Sequence, residues 1–225
     1  ARPYMDLYPV SQPAEDFVDT SGYYSLVYDK GQLIIETVMN LLGPDKEHTF
    51  WHEYYRRFCF GTPEPADFIT LADSLEGDPK TPSFATFIDA TLRTDFSIEA
   101  MASRPLARPE PIGDSADTVG PALFESTVTC EVRQPLGHPV HVRIGFIGGH
   151  DFDTTFIPEP GRHRIRVLYE RPALKAVIDP DYVYAVDVNL LNNSLRADLG
   201  SLAALRLFSG LTFLMESLIS TVWGW

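Results

Sequence analysis

Residues 21–43, SGYYSLVYDKGQLIIETVMNLLG, join a tyrosine-rich segment to the clearest helical pattern in the chain. The apolar residues of this stretch recur at the spacing that places them on one face of an α-helix. They are Leu33, Ile34, Val38, Leu41 and Leu42. Gly43 followed by Pro44 ends the pattern in the order typical of a helix C-terminus. The fold is therefore predicted to begin with a helix that buries one face.

Three further helical patterns follow, each carrying aromatic or aliphatic residues at helical spacing and Pro or Gly near its ends. They cover residues 44–61, 65–77 and 83–94. We therefore assign residues 1–104 to a helical part.

Beyond residue 120 the apolar pattern changes to a period of two. Val128, Cys130 and Val132 alternate with polar neighbours, and residues 140–146 do the same after the sequence QPLGHP. This alternation is typical of half-buried antiparallel strands, and the two segments are predicted to form a hairpin. Further strands are predicted over residues 164–170, 174–178 and 182–188. Short strands at this spacing indicate a small β-sandwich over residues 121–195, and the fold class is α+β.

Two segments lie outside these parts. Residues 105–120 are rich in Pro, Gly, Asp and Ser without periodicity, and a linker is predicted there. Residues 196–225 are predicted to form a C-terminal amphipathic helix, whose apolar stripe comprises Leu207, Leu211, Leu214, Leu218 and Val222. Because Arg206 and Glu216 interrupt the apolar run, we expect this helix to dock on the protein itself, with membrane contact as the alternative.

The composition limits the choice of partners and compartments. A formal net charge of −13 repels phosphate backbones, so no nucleic-acid partner is expected. The N-terminus has neither the basic nor the apolar region of a signal peptide, which leaves a cytoplasmic or a membrane-associated location. Cys59 and Cys130 lie far apart in the sequence and are predicted to be buried and reduced.

The usual catalytic motifs are missing from the sequence, including H-E-x-x-H, G-x-S-x-G and the phosphate-binding glycine loops. His48 and His52 have a spacing that can chelate a metal, but Thr49 stands where a zinc peptidase needs its glutamate base. We therefore predict a packed or solvated pair and no metal-ligating residue in this chain. Two acidic pairs beside Gly or Pro are predicted to cap turns, with weak calcium binding as the alternative. They are Asp151/Asp153 and Asp179/Asp181.

Residues 28–31, YDKG, resemble the Y-[ED]-K-G element of the gluzincin zinc aminopeptidases, the family that contains membrane alanyl aminopeptidase and leukotriene hydrolase. In that family the tyrosine of this element donates a hydrogen bond to the oxyanion of the tetrahedral intermediate. The resemblance implies this catalytic role for Tyr28, with Tyr23 in a supporting position. A phenol suits the role because it is neutral at pH 7 and holds its O–H on a rigid ring.

The resemblance continues along the chain in the order found in the family. It extends over residues 41–58, 65–77, 90–103 and 177–194. The last stretch, VIDPDYVYAVDVNLLNNS, resembles the segment that closes the β-sandwich in short bacterial members. The zinc-binding helix and the distal glutamate ligand lie upstream of the tyrosine element in the family, before the point where this chain begins. Asp29 replaces the commoner glutamate, and the large helical C-terminal domain of long members has no counterpart.

The resemblance implies a fold and a function. The fold is the helical C-terminal half of a thermolysin-like catalytic domain, then an antiparallel β-sandwich and a terminal amphipathic helix. The chain would supply the transition-state tyrosine and one wall of the substrate cleft, and would be inactive alone. It would hold no cofactor itself, with zinc in the full-length parent. Its partners would be the upstream catalytic segment of the same polypeptide and a peptide substrate. The alternative is a non-catalytic protein- or membrane-interaction module on the same scaffold.

Overall fold

A computed structural model of the chain describes residues 8–17, 19–78, 80–89, 91, 93–106 and 123–197. Within these ranges helices come first and antiparallel strands follow, which confirms the predicted α+β class. No helix in the described ranges has the length and apolarity needed to cross a membrane. Most of the predicted linker and nearly all of the predicted C-terminal helix lie outside the described residues.

A nearly continuous helical stretch opens the fold. It comprises α1 (Thr20–Tyr23), a π-helical turn (Tyr24–Lys30) and α2 (Gly31–Leu42). The stretch begins at Asp19, whose carboxylate accepts the N–H of Gly22 at 2.7 Å and so caps the first turn. It ends at Gly43, whose φ of 79° suits a residue without a side chain.

Three more helices complete the helical layer: α3 (Pro44–Phe58), α4 (Pro65–Glu76) and α5 (Ala85–Asp89). Glu64 and Asp67 form a reciprocal capping box at the start of α4, and Gly77 ends that helix in the left-handed conformation. The predicted helices over 44–61 and 65–77 are therefore confirmed to within a few residues. The predicted helix over 83–94 is wrong in its second half, because α5 ends at Asp89.

Seven strands are described, and they form two antiparallel sheets. The strands are β1 (Asp95–Pro105), β2 (Phe124–Arg133), β3 (Val140–Phe146), β4 (Asp151–Phe156), β5 (Gly161–Tyr169), β6 (Ala173–Ile178) and β7 (Ser194–Arg196). The first sheet has the order β1-β2-β5, and the second has the order β4-β3-β6-β7. β1 also contacts β6 and β7, which brings the two sheets together.

Three of the strand predictions are wrong. The helical part does not extend to Arg104, because Asp95–Pro105 forms β1 and pairs with β2. β2 and β3 do not form a hairpin, since β2 pairs with β1 and β5 whereas β3 pairs with β4 and β6. Residues 182–188 do not form a strand, because the Asp179 carboxylate accepts the N–H groups of Val183 and Tyr184 and holds them in a turn.

Helices and sheets share one hydrophobic core. Its largest contributors include Ile34, Val38, Phe50, Phe87, Phe96, Val128, Ile144 and Ile178. Residues 179–193, which we call the β6–β7 connection, attach α2 to this core. Thr37 Oγ1 accepts the Val186 N–H at 3.3 Å, and Asn40 Nδ2 donates to the Val183 carbonyl at 3.2 Å. The connection therefore fixes the position of α2, which follows directly after the tyrosine-rich turn.

Candidate functional site

Tyr28 lies on the π-helical turn. In an α-helix residues five apart point in directions about 140° apart, because each residue advances the helix by about 100°. A π-helix closes its hydrogen bonds from residue i to i+5, so side chains four and five apart share a face. Accordingly, the rings of Tyr24 and Tyr28 stack with centroids 5.2 Å apart, and Tyr23 makes an edge contact to Tyr28 at 6.3 Å. π-helical segments are rare and occur frequently at functional sites.

One side of the π-helical turn is buried in the protein, and the other side is exposed to solvent. Leu26 and Lys30 are buried, and Lys30 Nζ donates to the Tyr8 carbonyl at 3.3 Å. The ring of Tyr28 is 59% exposed and that of Tyr24 is 55% exposed. A tyrosine that serves only to fill a core is buried, so this exposure favours a role at the surface. The turn therefore presents a phenol of restricted orientation to solvent.

A groove of about 530 Å³ runs from Tyr28 along the outer side of α2 to α3. Gln32, Glu36 and Asn40 line it at helical spacing, and Trp51 of α3 lines it as well. The groove offers amide and carboxylate groups beside an indole, which are chemical groups that bind the backbone and side chains of a peptide. Tyr28 stands at one end of this groove with its ring restrained by Tyr24.

A second, larger groove of about 890 Å³ follows the outer face of α3. His48, Trp51, His52 and Tyr55 line it, with His48 one helical turn before His52 and Trp51 one helical turn before Tyr55, and His48 and His52 are exposed. Among the described residues, no group of three or more His, Cys, Asp or Glu side chains could hold a metal ion. Of the two arrangements that the sequence left open for this pair, packed or solvated, the exposure of both rings corresponds to the solvated one.

The two cysteines differ. Both are free thiols, but Cys59 is exposed at the end of α3 whereas Cys130 is buried in β2. The prediction of burial is therefore wrong for Cys59, because the outer face of α3 continues through this position. Burial raises the pKa of the Cys130 thiol to about 12, which keeps it protonated and unreactive at neutral pH.

The two acidic pairs have different surroundings. Asp179 is buried and accepts two backbone N–H groups at 2.9 Å, so it caps a turn as predicted. Asp153 lies in β4 rather than in a turn, and its carboxylate accepts a hydrogen bond from Arg143 at 2.7 Å. Arg143 holds the pKa of the Asp153 carboxyl below its usual range, with a smaller contribution from His141.

His141, to which the sequence assigned no role, links both acidic pairs. Its Nε2 lies 2.7 Å from Asp153 Oδ1 and its Nδ1 lies 3.0 Å from Asp181 Oδ2. The alternation in β3 signals this arrangement, because it places His141 and Arg143 on the same face of the strand. Since the two carboxylates lie on opposite sides of the ring, the cluster connects β4 to the β6–β7 connection and is unsuited to one shared cation.

Comparisons of the chain with models of protein families, with curated proteins and with solved structures found no match.

Proposed function

We propose that this chain is the C-terminal part of a gluzincin-type zinc aminopeptidase. The observation that carries the proposal is the exposed Tyr28, restrained on a π-helical turn at the end of an open groove. The YDKG element and the motifs that follow it in family order support the same assignment. In this proposal the helices form the C-terminal half of a thermolysin-like catalytic domain. The two sheets, with β1 against β6 and β7, form the β-sandwich.

Tyr28 has one chemical task in this proposal. Its phenol donates a hydrogen bond to the oxyanion that develops when the peptide carbonyl becomes tetrahedral. The stacked ring of Tyr24 and the edge contact of Tyr23 restrict the orientation of the Tyr28 ring, which reduces the rearrangement needed during the reaction. Tyr23 therefore acts in support, through its contact with Tyr28.

The described residues do not fit a zinc site, because they contain no cluster of three suitable ligands. The proposal therefore assigns the zinc ligands and the general base to the upstream catalytic segment of the same polypeptide. Zinc held there would activate a water molecule, as in other metallopeptidases. This chain would supply the tyrosine and one wall of the peptide-binding cleft, and it would not cleave peptides alone.

The direct test is the Tyr28→Phe variant of the full-length parent enzyme. The ring and its stacking remain, and only the donor is lost, so kcat should fall by roughly 10²–10³ with little change in KM. Tyr24→Phe is the matched control, since Tyr24 is similarly exposed and lies in the same stack. Tyr23→Phe should have a milder effect than Tyr28→Phe. Equal activities of the Tyr28→Phe and Tyr24→Phe enzymes would contradict the assignment.

A second function is favoured by the aromatic residues exposed around α3. Trp51, Tyr55 and Phe60 are 41%, 72% and 101% exposed, which is unusual for large aromatic side chains on a surface with no partner. On this alternative the scaffold is a non-catalytic module that binds a protein or a membrane. The sequence of the parent upstream of this chain separates the two functions. An H-E-x-x-H motif there supports the peptidase, and its absence supports the interaction module.

A further inference from the structure

A buried histidine occupies the junction between the helices and the sheets. His138, in the connection between β2 and β3, is 2% exposed. Its imidazole stacks on Phe84 with ring centroids 4.8 Å apart and planes inclined by 7°, and it meets the Phe87 ring at 5.4 Å. The imidazole thus occupies the position of an aromatic residue between the sheets and the segment made of Phe84 and α5, which we call the α5 segment.

The fit around this ring leaves little room for adjustment. Gly137, next to His138, has a φ of 76°, and a Cβ added there would lie 2.7 Å from Cγ of Pro82. At Gly137 the connection between β2 and β3 therefore approaches the Pro82 ring more closely than a residue with a side chain would permit. Movement of either segment changes the packing of the other.

Burial disfavours a charge on the His138 imidazole. Its buried Nε2 has no hydrogen-bond partner among the described residues. A proton on Nε2 would place a charged and unsatisfied N–H group between two phenyl rings, which is costly. Burial lowers the pKa of His138, although the carboxylates of Glu76 and Asp73 act in the opposite direction.

Those two carboxylates, both on α4, are the charged groups that act on His138 in the described part of the chain. Glu76 is already paired with Lys46 at 3.4 Å. Asp73 accepts the Ser83 hydroxyl at 2.6 Å and the Phe84 N–H at 2.9 Å, and so caps the start of α5. Attraction of Asp73 to an imidazolium would compete with this cap. The Asp73 cap that holds the start of α5 is therefore coupled to the protonation of His138.

We propose that His138 is an acid-sensitive latch between the α5 segment and the sheets. A proton taken from solvent at Nε2 weakens the packing against Phe84 and Phe87 and draws Asp73 away from its cap. The α5 segment then loosens while α2 and its contacts with the β6–β7 connection stay in place. The latch is independent of the peptidase assignment, because it involves none of the residues around Tyr28.

Hydrogen exchange of the Phe84 and Phe87 amides, corrected for the intrinsic effect of pH, tests the latch. Between about pH 7.5 and about pH 5.5 their protection should fall about tenfold, which corresponds to about one pKa unit of coupling. In His138→Phe, which keeps the stack but has no protonation site, protection should be the same at both pH values. His163→Phe is the control, since His163 lies in β5 against Phe156, and it should retain the fall.

An unchanged protection in the unaltered protein would overturn the proposal, and so would an equal fall in His138→Phe. An NMR titration of the unaltered protein covers the case in which that variant fails to fold. The His138 imidazole should protonate below the ordinary pKa of a histidine, and Phe84 protection should be lost as the pH falls toward that value. Titration of His138 at the ordinary pKa of a histidine, without any change at Phe84, would equally reject the latch.

Discussion

The π-helical turn (Tyr24–Lys30) and the β6–β7 connection both join α2, but they use their tyrosines in opposite ways. Tyr28 on the turn is 59% exposed, whereas Tyr184 on the connection is 1% exposed. The Tyr184 hydroxyl donates to the Pro139 carbonyl at 2.9 Å, and its ring meets Phe96 at 5.0 Å. Burial raises the pKa of Tyr184 above its usual value.

This contrast separates a structural phenol from one that is available for binding. Every part of Tyr184 has a partner inside the protein, so its removal should act on stability. In the described part of the chain the Tyr28 ring contacts the rings of Tyr23 and Tyr24, and its exposed surface can meet a ligand without any rearrangement of the core. The predictions below test that separation.

The largest expected effect on stability belongs to Tyr184→Ala. Removal of a fully buried aromatic ring should lower the free energy of unfolding by about 3–5 kcal/mol. Urea denaturation of the chain measures the change. Tyr28→Ala is the matched comparison and should cost less than about 1 kcal/mol, since the ring is mostly in solvent. Comparable losses in the two variants would remove the distinction between the segments.

Asp179 should have the next largest effect, because it orders the start of the β6–β7 connection. Asp179→Ala leaves the Val183 and Tyr184 N–H groups without their acceptor and should cost about 1–3 kcal/mol. Asp179→Asn keeps one acceptor oxygen and should cost less. Thermal unfolding of the two variants provides the comparison, and equal losses would show that the hydrogen bonds to the Asp179 carboxylate do not order the connection.

The pH dependence of Asp179→Asn provides a further check. Burial raises the pKa of the Asp179 carboxyl in the folded protein. The folded state therefore binds this proton more tightly than the unfolded chain, whose aspartates titrate near pH 3.9, about the ordinary value. The stability of the natural protein should fall, relative to Asp179→Asn, as the pH rises from about 4 through the folded pKa. A stability difference that does not change with pH would contradict this cause.

The smallest expected effect is that of zinc on the chain. His48 and His52 have chelating spacing on α3, but the described residues supply no third ligand beside them. We expect no stoichiometric zinc after dialysis, by elemental analysis, and no difference between the chain and its His48→Gln variant. About one tightly held zinc per chain that His48→Gln abolishes would show a metal site on α3.

The sequence predicted the elements whose side chains alternate or recur regularly. Four predicted strands correspond to β2, β3, β5 and β6, because their inner residues are apolar and their outer residues polar. β4 was missed because its sequence DFDTTF carries two aspartates, and aspartate is a residue type typical of turns. β1 was missed because only its first four residues alternate in burial, and the rest of the strand is mostly exposed.

Features that depend on distant contacts could not be predicted from periodicity. The connection between β2 and β3 has the residues of a tight turn, but Leu136 and His138 are buried, His138 packs against Phe84 and Phe87, and the chain passes to the other sheet. The tyrosine segment has no periodic signal for a π-helix, so the cluster of Tyr23, Tyr24 and Tyr28 was not expected. The catalytic role of Tyr28 came from the motif resemblance and remains a prediction.

The most direct measurement removes one hydroxyl at a time from Tyr28 and Tyr184 in the full-length parent and determines both kcat and the free energy of unfolding. Tyr28→Phe should lower kcat by roughly 10²–10³ and change stability by less than about 0.5 kcal/mol. Tyr184→Phe should lower stability by about 1–2 kcal/mol, because the buried Pro139 carbonyl loses its donor, with kcat nearly unchanged. If Tyr28→Phe keeps its kcat and loses stability instead, Tyr28 is a packing residue and the peptidase role assigned to it is wrong.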